Sequence, residues 1–177
     1  MKKTFLSIIF ALFSMILFAQ DHFETIRENE NSIILKGLIT RDDIIKHNPG
    51  NWFASNQQGY TPNATALEAL KKYGSSIHII AFVGTWCGDT KFILPKFYSI
   101  AETAGFPQAN LTVIGVDRNK KTLNNLSEAL NVINVPTFIV MKEGKELGRV
   151  VEYGKYGMWD KELGDIINLA ANATGNK

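Results

Sequence analysis

The order of apolar segments along the sequence predicts an α/β fold, with a mixed central sheet of about four to five strands and helices on both faces. From residue 77 onward, strand-length apolar runs alternate with segments of helical periodicity in the order β-α-β-α-β-β-α. A strand–helix–strand crossover makes its two strands parallel, whereas strands joined by a short turn pair in the antiparallel direction. The 177 residues, 45% of them hydrophobic, fit one ordinary globular domain.

The first twenty residues predict a signal peptide. Two lysines precede an almost wholly apolar run at 5–18, which is shorter than the ~20 residues needed to span a bilayer. Cleavage is expected to remove residues 1–20, with Ala19 or Gln20 as the last residue lost. An uncleaved anchor is the alternative, because Leu17 is larger than the residue that a cleavage site favours there. We therefore expect an exported protein, periplasmic in a bacterium and secreted otherwise, with no stable membrane span after cleavage.

The next segment, residues 21–76, is expected to be an N-terminal extension that packs on the following domain. Its patterns predict four elements in chain order: a strand at 32–38, one or two helical turns at 41–47, a long loop at 47–61 and a helix that begins at Thr61-Pro62 or at Asn63 and ends at Tyr73. Trp52 and Tyr60 lie in the loop. They can cap a functional site or pack on the domain, and packing is the favoured interpretation.

The domain itself is expected to span residues 77–171. The run at 77–83 is apolar without alternation, as in a strand that is buried on both faces. Ile93, Phe97 and Ile100 fall on one face of the helix that follows. Similar patterns predict the other elements: strands at 111–116, 137–141 and 146–151, helices at 87–104, 122–130 and 155–171, a four-residue hairpin turn at 142–145 and a disordered tail at 172–177.

The charge and the histidines exclude several classes of function. A formal net charge of +2 with only short pairs of lysines gives no basic surface for nucleic acid. His22, His47 and His78 share no ligand spacing with the single cysteine, so we expect no metal ion and no cofactor. A metal carrier would lack partner ligands for the same reason. His78 falls in a buried strand, where a hydrogen bond is expected to satisfy its ring.

The single cysteine, Cys87, lies directly after a buried strand and at the start of a helix. Unpaired backbone N–H groups and the positive end of the helix stabilise a thiolate at such a position. An unpaired thiol in an oxidising compartment is a liability unless it is inert or reactive for a purpose. A buried, unreactive cysteine is the alternative. Gly88 leaves space for a reaction partner, and Trp86 is either a platform over the thiol or a core aromatic residue.

Around this cysteine the sequence resembles the thioredoxin superfamily over residues 77–171. The residues that carry the resemblance follow the expected elements in order: Trp86-Cys87-Gly88, Lys91, Pro95, Asp117, Val135-Pro136-Thr137 and Gly144. The resemblance implies a thioredoxin-like fold and thiol–disulfide exchange. It also implies that the peptide bond before Pro136 is cis and that its loop lies beside Cys87.

Three positions depart from the pattern of that superfamily. Thr90 occupies the position of the usual second cysteine, Asp89 stands where proline is frequent, and Ala81 replaces a buried acid. No internal disulfide can therefore close, which favours monothiol chemistry. The Thr90 hydroxyl can donate a hydrogen bond to the thiolate or bond the backbone at the helix start, and both interpretations stay open.

The sequence thus leads to an expected function, an exported monothiol thiol–disulfide oxidoreductase. Cys87 would attack a disulfide of a client protein or small molecule, and an external thiol reductant would release the product. Thr90 and Trp86 are the further catalytic candidates. Val135, Pro136 and Gly88 are expected to bind the client chain through strand addition. The alternative is a binding or chaperone module that keeps the fold without turnover.

Overall fold

The computed structural model describes residues 22–30, 32–47 and 50–173, which form one sheet of six strands and the helices packed on it. The strands are β1 (Phe23–Asn29), β2 (Ser32–Ile39), β3 (His78–Val83), β4 (Leu111–Gly115), β5 (Thr137–Lys142) and β6 (Lys145–Val151). The helices are α1 (Arg41–Lys46), α2 (Trp52–Gln57), α3 (Ala64–Tyr73), α4 (Gly88–Ala104), α5 (Leu126–Ala129) and α6 (Trp159–Ala173). The predicted signal peptide lies outside these residues, as does the end of the predicted tail at 174–177.

The sheet has the strand order β1-β2-β4-β3-β5-β6, with β3 and β4 parallel and every other neighbouring pair antiparallel. Helix α4 makes the crossover between the two parallel strands, and β5 and β6 form the late hairpin. This mixed sheet flanked by helices confirms the predicted fold class. No helix within the described ranges is both long and apolar enough to cross a membrane.

Two apolar cores lie on opposite faces of the sheet. Successive side chains of β3 point to opposite faces, so Ala81 and Val83 join the larger core while Phe82 joins the smaller one. The larger core contains side chains from α1, α2, α3, α4 and α6, and the smaller one lies beneath the short helix α5. Four of the six residues of β3 are buried and the other two are partly buried, which explains why its sequence shows no polar alternation.

The N-terminal hairpin of β1 and β2 extends the sheet beyond the predicted size. Strand β1 lies at the edge and is exposed over six of its seven residues, so its sequence lacks the alternation that predicts a strand. Strand β2 pairs with β4 only through residues 37–39, and its residues 32–36 continue past the carboxyl end of β4. A side chain at Gly115 would collide with the Leu35 carbonyl oxygen, which explains the glycine at this crossing.

The predicted long loop at 47–61 is wrong in part, because α2 forms within it. Phe53 is buried at 2% exposure and anchors this helix in the larger core. The side-chain amide of Gln57 donates hydrogen bonds to the Pro95 carbonyl oxygen at 3.3 Å and to the Ser99 hydroxyl at 3.2 Å. Tertiary contacts thus stabilise a helix of six residues that local sequence preference does not predict.

Three other predicted boundaries are corrected by residues with positive φ angles. The hairpin turn has two residues rather than four, with Glu143 at φ 49° and Gly144 at 75°. The helix predicted at 122–130 is reduced to α5, because Asn124 and Asn125 both lie in the left-handed region. The last helix begins at Trp159 rather than 155, after two turn residues with φ above 70°.

Helix α3 of the extension packs closely against α6. An added Cβ at Gly164 would lie 2.6 Å from the Ala66 backbone, so only small residues fit at this crossing. Asp160 at the start of α6 accepts hydrogen bonds from the Tyr60 hydroxyl at 2.7 Å and from the Asn63 N–H at 3.2 Å. The Tyr60 ring also stacks on Trp159. Tyr60 is therefore a packing residue, as the sequence favoured, and Trp52 likewise packs against the larger core.

Candidate active site at Cys87

Cys87 lies where the turn after β3 becomes helix α4. It is the N-cap residue of this helix, with extended backbone angles of φ −82° and ψ 130°. Its N–H donates to the Gly84 carbonyl oxygen at 2.8 Å, and its own carbonyl accepts from the Lys91 N–H at 3.0 Å. The side chain is partly exposed and makes no cap hydrogen bond to the helix. The thiol is thus held at the positive end of a 17-residue helix and is open to solvent.

The turn from 132 to 136 lies against the cysteine. The Cys87 sulfur donates a hydrogen bond to the Val135 carbonyl oxygen at 3.3 Å, and the Val135–Pro136 peptide bond is cis. The Pro136 carbonyl oxygen already accepts from the Glu152 N–H at 2.7 Å, which ties this turn to the loop after β6. The structure therefore brings Val135 together with Cys87, as the resemblance implied, while the carbonyl of Pro136 is engaged within the protein.

Thr90 is fully buried one turn along the helix from the cysteine. Its hydroxyl oxygen accepts a hydrogen bond from the Gly84 N–H at 3.2 Å. This is the backbone interaction that the sequence left open, and it fixes the start of the turn that carries Cys87. Gly88 next to the cysteine is exposed, and an added Cβ there would meet nothing within 4 Å. The approach to the sulfur is therefore open on this side.

Trp86 packs against the smaller core beside the cysteine. Its indole N–H donates to the Val116 carbonyl oxygen at 3.0 Å, and the Arg118 guanidinium lies 5.2 Å from the centre of its ring. A side chain at Gly84 would lie 2.9 Å from the indole, so that glycine makes room for the ring. The indole is thus held from both ends and forms a rigid wall of the site.

Thr85 is a site residue that the sequence analysis missed. Its hydroxyl donates to the Ile33 carbonyl oxygen at 2.7 Å and accepts from the Leu35 N–H at 3.1 Å. Both partners belong to the part of β2 that continues past β4. The hydroxyl of this buried threonine therefore donates and accepts one hydrogen bond each along β2, in the way that the backbone of a neighbouring strand does. These two bonds attach the cysteine turn to the N-terminal hairpin. No local pattern signals this, since the partners lie 50 residues apart.

Ion pairs hold the same hairpin beside Trp86. Glu28 receives two hydrogen bonds from the Arg118 guanidinium, one of them at 2.7 Å, and a third from the Ser32 hydroxyl. These bonds lower the pKa of Glu28 to about 2, the one from Arg118 most strongly. Lys36 of the hairpin lies 3.3 Å from Asp117. The hairpin and the segment after β4 are thereby joined next to the active-site indole.

An aromatic rim borders the cysteine on its other side. The rings of Phe92 and Tyr153 lie 5.9 Å apart and are 44% and 37% exposed. Partial burial and a hydrogen bond to the Asp89 carboxylate raise the pKa of Tyr153, and negative charge at Cys87 and Glu152 adds to the shift. This rim was not predictable from the sequence, since Tyr153 follows β6 and is far from the helix in the chain. An exposed tyrosine after a predicted strand end was its only signal.

Comparison with known proteins places the chain in a family. A family model described as thioredoxin matches residues 47–158. A thioredoxin from Chlamydia pneumoniae is 33% identical over 98 residues, which cover 55% of this chain and 85% of that protein. An H-type thioredoxin from Oryza sativa subsp. indica is 36% identical over 103 residues, covering 58% of this chain and 80% of that one. These similarities support a thioredoxin-like redox function.

Solved structures resemble the overall fold. An HIV epitope scaffold superposes with a TM-score of 0.51 and 16% identity, covering 75% of this chain and 92% of that chain. A protein of unknown function from Pseudomonas aeruginosa superposes with a TM-score of 0.50 and 15% identity, covering 76% of this chain and 99% of that chain. At such identities the likeness shows the fold alone. Because the family model spans residues 47–158 and the two thioredoxins are matched over at least 80% of their own length, the chain belongs to the thioredoxin family.

Proposed function

We propose that this protein is an exported monothiol thiol–disulfide oxidoreductase that acts through Cys87. The observation that carries the proposal is the position of a single, partly exposed thiol at the start of α4, with its sulfur 3.3 Å from the Val135 carbonyl oxygen. A thiolate at a helix start is stabilised by the unpaired N–H groups and the helix dipole. A carbonyl beside the sulfur is suited to hold an extended client chain by strand addition.

The reaction has three exchange steps. The Cys87 thiolate attacks one sulfur of a client disulfide, so that a Cys87–client S–S bond forms and the client's own S–S bond breaks, releasing a thiolate. An external thiolate then attacks the Cys87 sulfur of the mixed disulfide, which releases the second client thiolate and leaves Cys87 joined to the external thiol. A second external thiolate attacks this new disulfide, releases Cys87 as the thiolate and leaves the two external thiols joined as a disulfide. The client is reduced and the external thiol is oxidised. No second thiol in the chain can perform the release, because Thr90 stands one helical turn away and Cys87 is the only cysteine.

Turnover by this route is tested with catalytic amounts of the protein. A peptide disulfide is mixed with an excess of a monothiol reductant, and its reduction is followed by chromatography. The wild-type protein is expected to accelerate the reaction, whereas Cys87→Ser and wild-type protein blocked with iodoacetamide should have no effect. Equal rates with and without Cys87 would overturn the proposal.

A binding or chaperone module is the second candidate, and the exposed apolar side chains around the site favour it. Ile133 is 78% exposed beside the Val135 turn, and Phe92 and Tyr153 are exposed beside the cysteine. A module of this kind would suppress the aggregation of an unfolded protein that has no cysteine. Suppression that is equal in the wild type and in Cys87→Ser, together with no turnover, would favour this function over the oxidoreductase.

A further inference from the structure

The chemistry around the Cys87 sulfur is that of a cation-binding site. Asp89 in the first turn of α4 and Glu152 after β6 supply carboxylates, and Phe92 and Tyr153 supply exposed aromatic rings. Carboxylates attract a cation directly, and aromatic faces attract it through the negative face of the ring. The Phe92 ring already binds a cation in this way, since the Lys96 ammonium lies 3.3 Å from its centre.

The helix start and the loop after β6 bring these groups towards the reacting sulfur. Asp89 is two residues from Cys87 in the first turn of α4, and its carboxylate helps to raise the pKa of Tyr153, whose ring lies 5.9 Å from that of Phe92 on the same helix. Glu152 donates its N–H to the carbonyl of Pro136, whose neighbour Val135 accepts from the sulfur. The first turn of α4 and the loop after β6, which carry the two carboxylates and the tyrosine, therefore lie close to the thiol.

The neighbouring basic side chains do not cancel this charge. Arg118 is paired with Glu28 on the Trp86 side. Lys91 lines a small chamber beneath β2 with Ile33 and Thr85, away from the rim. The Lys96 ammonium lies at the rim over the Phe92 ring and donates to the Phe92 carbonyl oxygen at 2.8 Å, so the rim already holds one basic group. The rim side therefore carries two carboxylates, those of Asp89 and Glu152, against the one ammonium group of Lys96.

We propose that Asp89, Glu152 and Tyr153 make the Cys87 site selective for disulfides that carry a positive charge next to the reacting sulfur. Peptides with Lys or Arg beside the cysteine are the client class that fits. The ammonium or guanidinium group lies between the carboxylates, and its aliphatic stem packs on the Tyr153 ring. This inference rests on the proposed exchange chemistry at Cys87 and names the substrates of that same site.

The selectivity is measured with three small disulfides that differ in charge: cystamine, 2-hydroxyethyl disulfide and 3,3′-dithiodipropionate. Mixed-disulfide formation with Cys87 is followed by intact mass spectrometry at low ionic strength. Each rate constant is divided by the rate constant for the reaction of the same disulfide with the model thiol N-acetylcysteinamide. This division removes differences in the intrinsic reactivity of the three disulfides. The corrected rate for cystamine is expected to exceed that for the dianion by at least roughly fivefold. The ratio should fall as salt is added.

Variants assign the effect to the named residues. Asp89→Asn and Glu152→Gln should each lower the ratio, and Tyr153→Leu should lower it through loss of the ring. Asp165→Asn, which removes a carboxylate on α6 paired with Lys161, should leave it unchanged. Equal corrected rates for the three disulfides in the wild type would overturn the charge selectivity while leaving exchange at Cys87 intact. No adduct with any of them would overturn the proposed function itself, and the selectivity with it.

Discussion

At the scale of single residues, two threonines fix the turn that carries the thiol. Thr90 bonds the Gly84 N–H from inside the helix, and Thr85 bonds β2 from the turn itself. Position 90 also decides the chemistry, because a second cysteine there would lie three residues along the helix from Cys87. Residues at this spacing share a face, and their Cα separation suits a disulfide.

Thr90→Cys is therefore expected to create a dithiol that closes on itself. The variant should form an internal disulfide under oxidising conditions and reduce insulin faster than the parent, which should instead accumulate mixed disulfides with added small thiols. Ala81 limits the gain, because no buried acid is present to accept a proton from the second thiol. Mass spectrometry before and after alkylation measures the internal disulfide. If none forms, the placement of Cys87 at the helix start is wrong.

Position 87 and its turn were predictable because their signals are local. A buried apolar run, a Trp-Cys-Gly segment and a helical pattern follow one another within residues 77–104. The interactions of Thr85 with Leu35 and of Tyr153 with Asp89 were not predictable, because each joins distant parts of the chain. Side chains that bond across a fold leave no periodic pattern in the sequence.

At the scale of elements, the N-terminal hairpin is a part of the site. Its strand β2 bonds Thr85, and its Glu28 holds Arg118 over the Trp86 ring. The family match begins at residue 47, so this hairpin lies outside the matched range. The sequence predicted β2 from its apolar residues but not β1, whose side chains are almost all exposed. Pairing with β2 rather than burial makes β1 a strand.

Thr85→Val tests the attachment of the hairpin to the cysteine turn. The change keeps the shape of the side chain but leaves the Leu35 N–H and the Ile33 carbonyl unpaired in a buried place. It should lower the free energy of unfolding by about 1–3 kcal/mol. Thr85→Ser keeps the hydroxyl and is the matched control, with a smaller loss. Urea denaturation at neutral pH measures both, and equal stability of the valine variant and the wild type would show that the two hydrogen bonds contribute nothing.

The Glu28–Arg118 pair predicts a loss of stability in acid. The folded-state pKa of Glu28 is about 2, below its ordinary value of 4.5. A carboxyl group with a lowered pKa stabilises the fold fully above its ordinary pKa, and that contribution disappears as the pH falls toward 2. The difference in unfolding free energy between the wild type and Glu28→Gln should therefore shrink from pH 6 to pH 2. Adding Arg118→Gln should weaken this pH dependence, and an unchanged slope would contradict the assignment to this pair.

At the scale of the whole molecule, the extension and the domain share one sheet and the larger of its two cores. Strand β2 pairs with β4, and α3 packs on α6 at Ala66 and Gly164. The predicted fold class followed from the alternation of strands and helices after residue 77. The full size of the sheet could not be predicted in this way, because the pairing of strands from distant segments depends on contacts that a pattern along the chain does not contain.

Export is the prediction that concerns the whole chain. The two lysines and the apolar run at 5–18 predict removal of residues 1–20, so a mature protein should begin near Gln20 or Asp21. Terminal sequencing of the protein recovered from the exported fraction measures this. Protein that keeps Met1 and stays in the cytoplasm would contradict it. Protein that keeps Met1 on a membrane would favour the uncleaved anchor.

The reactivity of Cys87 in the native fold is the most direct measurement of the proposed function. The folded protein is treated with 2-hydroxyethyl disulfide near neutral pH, and its intact mass is followed with time. We expect one adduct per chain, located at Cys87, which forms without denaturant and is removed by an added thiol, while Cys87→Ser forms none. A native protein that gains no adduct until it is unfolded would show that Cys87 is an inert structural cysteine and would contradict the proposed redox function.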